Sequence, residues 1–268
     1  MGLNNRLKVF KVKYALFFIT LFSFLFVKDI SFKLNSISKV MNLESKPNFI
    51  DISLSTLYGL NSNIRITMID RIRWSLLFLL LFYFIGIYLN EIFEKSKKFI
   101  WIIRIKSKKT WVFRNILNIS YFVFLYILYF FINIIIFSYF ESSKSLSISE
   151  IFANLNPYVS NKNIGVSCIL VLFLLIFTSM LCLALIQFTI CLSTNNSNKG
   201  TLFAFLIIII SSITADTDLF NPFMFSKFNI IDSRSNYNVY WVIVLNIFLI
   251  ILISFIDIIF LKKIERNN

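Results

Sequence analysis

Three cysteines are the first candidates for chemistry in this 268-residue chain, because thiolates can bind zinc or form disulfides. Cys168, Cys182 and Cys191 lie 14 and 9 residues apart in one apolar block. No pair has the spacing of a Cys-x-x-Cys motif, and the chain contains no histidine. We therefore interpret the cysteines as small packing residues, and we predict no metal site and no cofactor.

The motifs of the common enzyme classes are also missing from the sequence. There is no GxxxxGK[ST] phosphate loop, so the chain cannot hydrolyse ATP in the P-loop manner. The lack of histidine excludes an HExxH metalloprotease helix and any Ser-His or Cys-His pair. Paired acids for an intramembrane enzyme are missing as well. We predict that this chain is not an enzyme.

Asp257 is the one acid inside a predicted membrane span, and such a carboxyl is a candidate for function, for instance in proton coupling. It lies near the end of that span, which leaves a second interpretation. The carboxylate could reach the membrane interface or pair with Lys262 or Lys263. Three further polar residues within spans are predicted to form hydrogen bonds between helices: Asn133, Gln187 and Asn246.

Long uncharged blocks set the fold class, since 58% of the residues are apolar and only 15% are charged. A helix needs about 20 mostly apolar residues to cross the hydrocarbon core. The sequence predicts an all-α, polytopic integral membrane protein that forms one domain over residues 1–268. Six segments meet this pattern, and the first, second and fifth are short: 14–27, 74–89, 120–140, 166–192, 201–214 and 240–261.

The distribution of basic residues predicts the orientation. Sixteen of the 27 Lys and Arg residues lie at the two termini and in the second and fourth connections between spans. Because basic residues favour the cytoplasmic side, both termini are predicted to be cytoplasmic. The net charge of +14 then indicates anionic lipid as a partner, and we predict no nucleic-acid binding.

Two interpretations stay open for the first span, and two for the residues that precede it. Residues 14–27 have the length of a signal-peptide core, but Lys28 and Asp29 follow them in place of a small-x-small cleavage site, which favours a retained span. Residues 1–13 alternate apolar and basic side chains at helical spacing. They form either a helix lying in the inner interface or a basic flank that sets topology.

Three connections between spans differ from simple loops. The outer loop 28–73 is long, and the outer segment 215–239 is so apolar that it either re-enters the membrane or rests on lipid headgroups. The inner connection 91–119 alternates large apolar residues with eight Lys and Arg residues. Such a segment lies along the membrane interface or forms a docking surface for a cytosolic protein.

The order of these features resembles the permease subunits of type-2 ABC exporters. Residues 48–118 are most similar to a family of permease-like proteins found with bacteriocin and lantibiotic immunity systems in Gram-positive bacteria. An outer segment with Asp51, Gly59 and Leu60 precedes a W-x-L element at Trp74 and Leu76. After the span, the matching elements are Glu91 and the run IRIKSKKTW at residues 103–111.

The resemblance implies a permease subunit in the bacterial cytoplasmic membrane that exports a peptide, bacteriocin or lipid-like cargo. A separate cytosolic ABC ATPase would dock on the 91–119 connection, and a homodimer or heterodimer of permeases would form the transport path. A non-transporting immunity or accessory protein that binds a bacteriocin or sensor protein is the alternative. The residues implied at the ATPase-docking surface are Arg104, Lys106, Lys108 and Trp111.

Overall fold

The computed structural model describes residues 3–40, 47–57, 68–97, 108–142, 145, 149, 165–194, 196–213 and 239–266. Every regular element in these ranges is an α-helix, which confirms the all-α class. The seven helices are α1 (Leu3–Val40), α2 (Phe49–Leu57), α3 (Met68–Lys97), α4 (Lys108–Glu141), α5 (Gly165–Thr194), α6 (Ser197–Ile213) and α7 (Val239–Arg266).

Four of the helices in the described part are long and apolar enough to cross a membrane. Their apolar stretches are Ser75–Phe93 in α3, Lys109–Glu141 in α4, Ile169–Thr194 in α5 and Tyr240–Ile259 in α7. No proline interrupts these stretches, so the backbone can satisfy its hydrogen bonds within each helix. They correspond to the second, third, fourth and sixth predicted spans.

The structure changes the expected lengths of several segments. The second span is not short, since its apolar stretch has 19 residues within a helix of 30. The fifth lies in α6, an apolar helix of 17 residues that is shorter than the other four. Residues 3–13 are helical and continuous with the first predicted span in α1. The described residues of the segment 28–73 are almost all helical, because they comprise the end of α1, all of α2 and the start of α3.

The chain divides into two compact units whose boundaries fall within α3, α4 and α5 and between α6 and α7. The first comprises residues 1–77, 127–173 and 225–236, and the second comprises residues 78–126, 174–224 and 237–268.

In the first unit, one buried stripe runs along α1 far beyond the apolar block. Its members recur every three or four residues, which is the spacing of one helix face. Serines alternate with larger apolar residues, so neighbouring helices can approach closely at the serine positions. The stripe covers roughly 29 Å of helix. Its residues are Ile19, Ser23, Val27, Ser31, Leu34 and Ser38.

Helices α1 and α4 run parallel in this unit. The Thr20 hydroxyl and the Tyr129 hydroxyl are 2.8 Å apart, and further along both helices Lys28 pairs with Glu141 at 2.7 Å. Both partners advance in the same direction along the chain. Helix α2 packs against α1, and the ring of Phe49 meets that of Tyr139, with the ring centroids 6.1 Å apart.

In the second unit, contacts between side chains fix the directions of the other helices. Helices α4 and α5 are antiparallel, because Trp111 contacts Phe188 while Phe124 contacts Phe177. Only residues 195 and 196 separate α5 from α6, so these two form a tight helical hairpin. Helices α5 and α7 are parallel, since Asn246 contacts Ser179 and Asp257 contacts Thr189.

Candidate functional site

A buried glutamine joins three helices of the second unit. The Gln187 side-chain amide on α5 donates to the Phe82 carbonyl of α3 at 3.2 Å and to the Thr201 hydroxyl of α6 at 3.0 Å. Thr201 in turn donates to the Ser197 carbonyl at 3.0 Å. The Ser197 hydroxyl donates to the Asn90 side chain of α3 at 2.9 Å. Because Gln187 is completely buried, this network replaces the hydrogen bonds that its amide N–H groups would make to water, while its side-chain oxygen has no partner among the described residues.

Two glycines allow these helices to approach closely. A methyl group built on Gly86 of α3 would overlap the Thr201 side chain. A methyl group on Gly200 of α6 would overlap both the Cys191 side chain and the Gln187 backbone carbonyl. Small residues at such contacts allow van der Waals packing and interhelical hydrogen bonds, which are the main sources of association between helices in lipid.

Helix α7 contacts the bundle through a narrow and unusually polar face. Only 22% of its apolar stretch is buried, against 67% for α5. The buried side chains among its described positions are Val242, Asn246, Ile253 and Asp257, so half of this face is polar. The Asn246 amide donates to the Ser179 hydroxyl at 2.8 Å and lies 3.5 Å from that of Thr178. This confirms the interhelical role predicted for Asn246.

Asn246→Ala should therefore loosen α7 without unfolding the bundle. Hydrogen bonds between membrane helices contribute roughly 0.6 kcal/mol on average and about 1.7 kcal/mol at most, so a small drop in thermal stability is expected. Thermal unfolding of the purified protein in mild detergent would measure it. Asn133→Ala is the matched control, because the Asn133 amide donates to the Tyr129 carbonyl of its own helix at 2.8 Å. Equal losses in the two variants would contradict the role of Asn246.

The Asn133 bond differs from the sequence-based expectation. It was predicted to join two helices, whereas the bond that its amide makes stays within α4. A short polar side chain at the helix surface can reach the carbonyl one turn earlier, and no neighbouring helix is needed for that bond.

A second cluster of polar groups surrounds Asp51 at the start of α2. Asn48 and Asp51 form a reciprocal cap, in which each backbone N–H donates to the other side chain at 2.9 Å. The Asp51 carboxylate also accepts a hydrogen bond from the backbone N–H of Ser149 at 3.0 Å. Ser149 follows α4, so one carboxylate ties together two segments that are 98 residues apart in sequence.

Burial controls the electrostatics of this cluster. Asp51 has no exposed surface, and seven of the nine residues of α2 are buried. Desolvation raises the pKa of the Asp51 carboxyl above its ordinary value of 3.8, while the hydrogen bonds from Ser149 and Asn48 act in the opposite direction. The carboxylate therefore joins the start of α2 to the segment at Ser149, and its charge is stabilised by the hydrogen-bond donors around it.

The chain matches no family model, no curated protein and no solved structure. The geometry of its own residues must therefore carry any functional assignment. Among the described residues, no group of three His, Cys, Asp or Glu side chains is arranged to hold a metal ion. Cys182 and Cys191 are free and buried.

The residues predicted at the docking surface fall in different places. Arg104 and Lys106 lie outside the described residues, and so does the predicted outer segment 215–239 except for Val239, which begins α7. Lys108 begins α4. Trp111 is half-buried, with its ring centroid 6.4 Å from that of Phe188 on α5. The tryptophan therefore anchors the start of α4 to the bundle.

Asp257 lies in a different environment from the one that an interfacial carboxylate would have. Its side chain is completely buried beside Thr189, and neither carboxyl oxygen has a hydrogen-bond partner among the described residues. The sequence identified this acid but not Thr189 as its neighbour. It also gave no indication of Gly86 and Gly200, because a single glycine in an apolar helix has no distinctive pattern.

Proposed function

We propose that this chain is the membrane-spanning permease subunit of an ATP-driven exporter in the bacterial cytoplasmic membrane. The observation that carries the proposal is the alternation of helix directions. Within the first unit, the parallel directions of α1 and α4 are those that six successive crossings require. Within the second unit, the same holds for antiparallel α4 and α5, the α5–α6 hairpin and parallel α5 and α7. Six crossings with both termini in the cytoplasm match the topology expected of a type-2 ABC permease.

The connection between α3 and α4 supplies the proposed docking surface. Ten residues, 98–107, separate Lys97 from Lys108. The segment 91–119 has eight basic residues and two acids, and at the start of α4 Lys109, Phe113 and Arg114 are exposed. A basic surface with exposed aromatic groups is suited to bind an acidic, partly apolar patch on a cytosolic ATPase. Trp111 would transmit movement of this surface to α5 through Phe188.

The interior of the second unit suits a protein that works by changing conformation. Besides their apolar contacts, its helices are joined by a few hydrogen bonds and close glycine contacts, and no catalytic constellation occurs among its described residues. Binding and hydrolysis of ATP by a partner would bias two arrangements of these helices. A peptide, bacteriocin or lipid-like cargo would then pass along a path formed with a second permease subunit.

Co-purification of an ATPase tests the proposal directly. Tagged protein is isolated from its native membrane in mild detergent, and recovery of a P-loop ATPase is measured for wild type and for Arg104→Glu plus Lys106→Glu. We expect recovery with the wild type and its loss in the double variant, because reversing two charges turns attraction into repulsion at the docking surface.

The chain offers a matched control for this experiment. Arg71→Glu plus Arg73→Glu reverses two charges at the same spacing near the start of α3, on the predicted outer side. This variant should retain the ATPase. If neither wild type nor control recovers an ATPase while both insert normally in the membrane, the permease proposal fails and a non-transporting immunity protein is favoured.

A further inference from the structure

The burial of the Asp257 carboxyl on α7 raises the question of whether it is ionised or neutral. The residue lies in the apolar stretch Tyr240–Ile259 and has no exposed surface. Neither of its carboxyl oxygens receives a hydrogen bond from a described residue. An ionised carboxylate that is buried without donors costs far more free energy than the neutral acid, so a carboxyl in this position needs either a cation or a proton.

The neighbouring threonine supplies a hydrogen-bond acceptor for a protonated carboxyl. Thr189 lies beside the Asp257 carboxyl. Its hydroxyl hydrogen is donated to the Leu185 carbonyl of its own helix at 2.9 Å. While it makes that bond, the Thr189 oxygen has lone pairs left to accept a hydrogen bond from a protonated acid. A hydroxyl turned toward α7 instead would give the carboxylate one neutral donor, which does not compensate a buried negative charge.

No other described group on α5 can balance a negative charge here. Among the described side chains of that helix, the titratable ones are Cys182, two turns before Thr189 on the same face, and Cys191, whose thiol lies 3.6 Å from the Ser197 carbonyl of α6. Both thiols are neutral donors of low strength. The charged residues that follow in the sequence of α7 are Lys262, Lys263, Glu265 and Arg266.

We infer that the Asp257 carboxyl is a proton-binding site, occupied while α7 is packed on α5 and emptied when this contact opens to water. On opening, the O–H bond of the acid breaks, the proton passes to water and the carboxylate becomes hydrated. Since α7 is held by so few buried residues, movement of α7 against α5 is linked to release and uptake of one proton. This inference does not depend on the proposed transport function.

Infrared spectroscopy tests the site in the full-length protein reconstituted in phosphatidylcholine vesicles. Incorporation of carboxyl-13C aspartate shifts the carbonyl stretch of any protonated aspartic acid, which separates it from the six glutamates. At neutral pH we expect one such band that disappears in Asp257→Asn. Thr189→Val should shift the same band to higher frequency, since the protonated acid loses its polar neighbour, and Thr189→Ser should restore it.

Asp29→Asn is the matched control, because Asp29 is a partly exposed acid paired with Lys33 at 3.0 Å. It should leave the band unchanged. If Asp257→Asn does not fold, Asp257→Glu replaces it, and the band should then lose its isotope shift but persist. A wild-type protein without a protonated aspartic acid band, or with a band that survives in Asp257→Asn, overturns the inference.

Discussion

Gly200→Ala should destabilise the second unit more than Gly86→Ala does. The new methyl group would meet the backbone carbonyl of Gln187, which cannot rotate away. The α5–α6 hairpin must therefore open by several tenths of an ångström, and the hydrogen bonds of Gln187 to Phe82 and Thr201 would be strained. Overpacking of this kind costs about 1 to 3 kcal/mol, and we expect the upper end.

Thermal unfolding in detergent, compared across two pairs of variants, would measure this effect. Cys191→Ala should not rescue Gly200→Ala, because it removes only the sulfur contact and leaves the carbonyl in place. Gly86→Ala should be milder, and Thr201→Ala should largely offset it, because every close neighbour of that methyl group belongs to the Thr201 side chain. Wild-type stability in Gly200→Ala would show that α5 and α6 are not in close contact.

Asp51→Ala should release the segment around Ser149 from α2. The substitution leaves the backbone N–H groups of Asn48 and Ser149 without their acceptor. A buried donor that is left unpaired, such as that of Asn48, costs about 1 to 3 kcal/mol, and the half-buried N–H of Ser149 costs less. Limited proteolysis of the intact protein is the appropriate measurement, because cleavage near residue 149 should accelerate while cleavage elsewhere should not. Thr56→Ala is a matched control, since the Thr56 hydroxyl donates only within α2, to the Ile52 carbonyl at 2.7 Å.

The pH dependence of stability, compared between the wild type and Asp51→Asn, gives a second test of this residue. Burial raises the pKa of Asp51 in the folded protein, so the folded state binds more protons than the unfolded state between 3.8 and that raised value. The contribution of this group to stability is complete below 3.8 and is lost as the pH rises through the folded-state pKa. Asp51→Asn should lack this dependence. An identical pH profile for the two proteins would contradict it.

Hydropathy predicts four of the six spans correctly because crossing a membrane is a local requirement. Any uninterrupted apolar stretch of sufficient length must form a helix in lipid, whatever its neighbours are. The same criterion missed the continuation of α1 to Val40, since Lys28, Asp29 and Lys33 end the apolar block. The buried stripe continues past them through Ser31 and Ser38, but serines contribute little to a hydropathy count.

The candidate sites show a different limit of sequence reasoning. Asn48 and Asp51 have the spacing of a helix cap, so their mutual bonds are local and predictable in principle. Ser149 is 98 residues away, and nothing in the sequence indicates that it meets Asp51. Asp257 stands out as an isolated acid, whereas Thr189 is one of many hydroxyl residues in apolar helices. Partners of this kind follow only from the packing.

Helix α1 contains 38 residues in one uninterrupted helix, and the helical rise gives it a length of roughly 57 Å. That is nearly twice the thickness of the hydrocarbon core, about 30 Å. A rod of this kind behaves as a lever. When one end tilts, the other must swing in the opposite direction, with the contacts of Thr20 and Lys28 to α4 as the fulcrum. A force applied to the basic N-terminal turns would thus displace Val40, because no hinge lies between them.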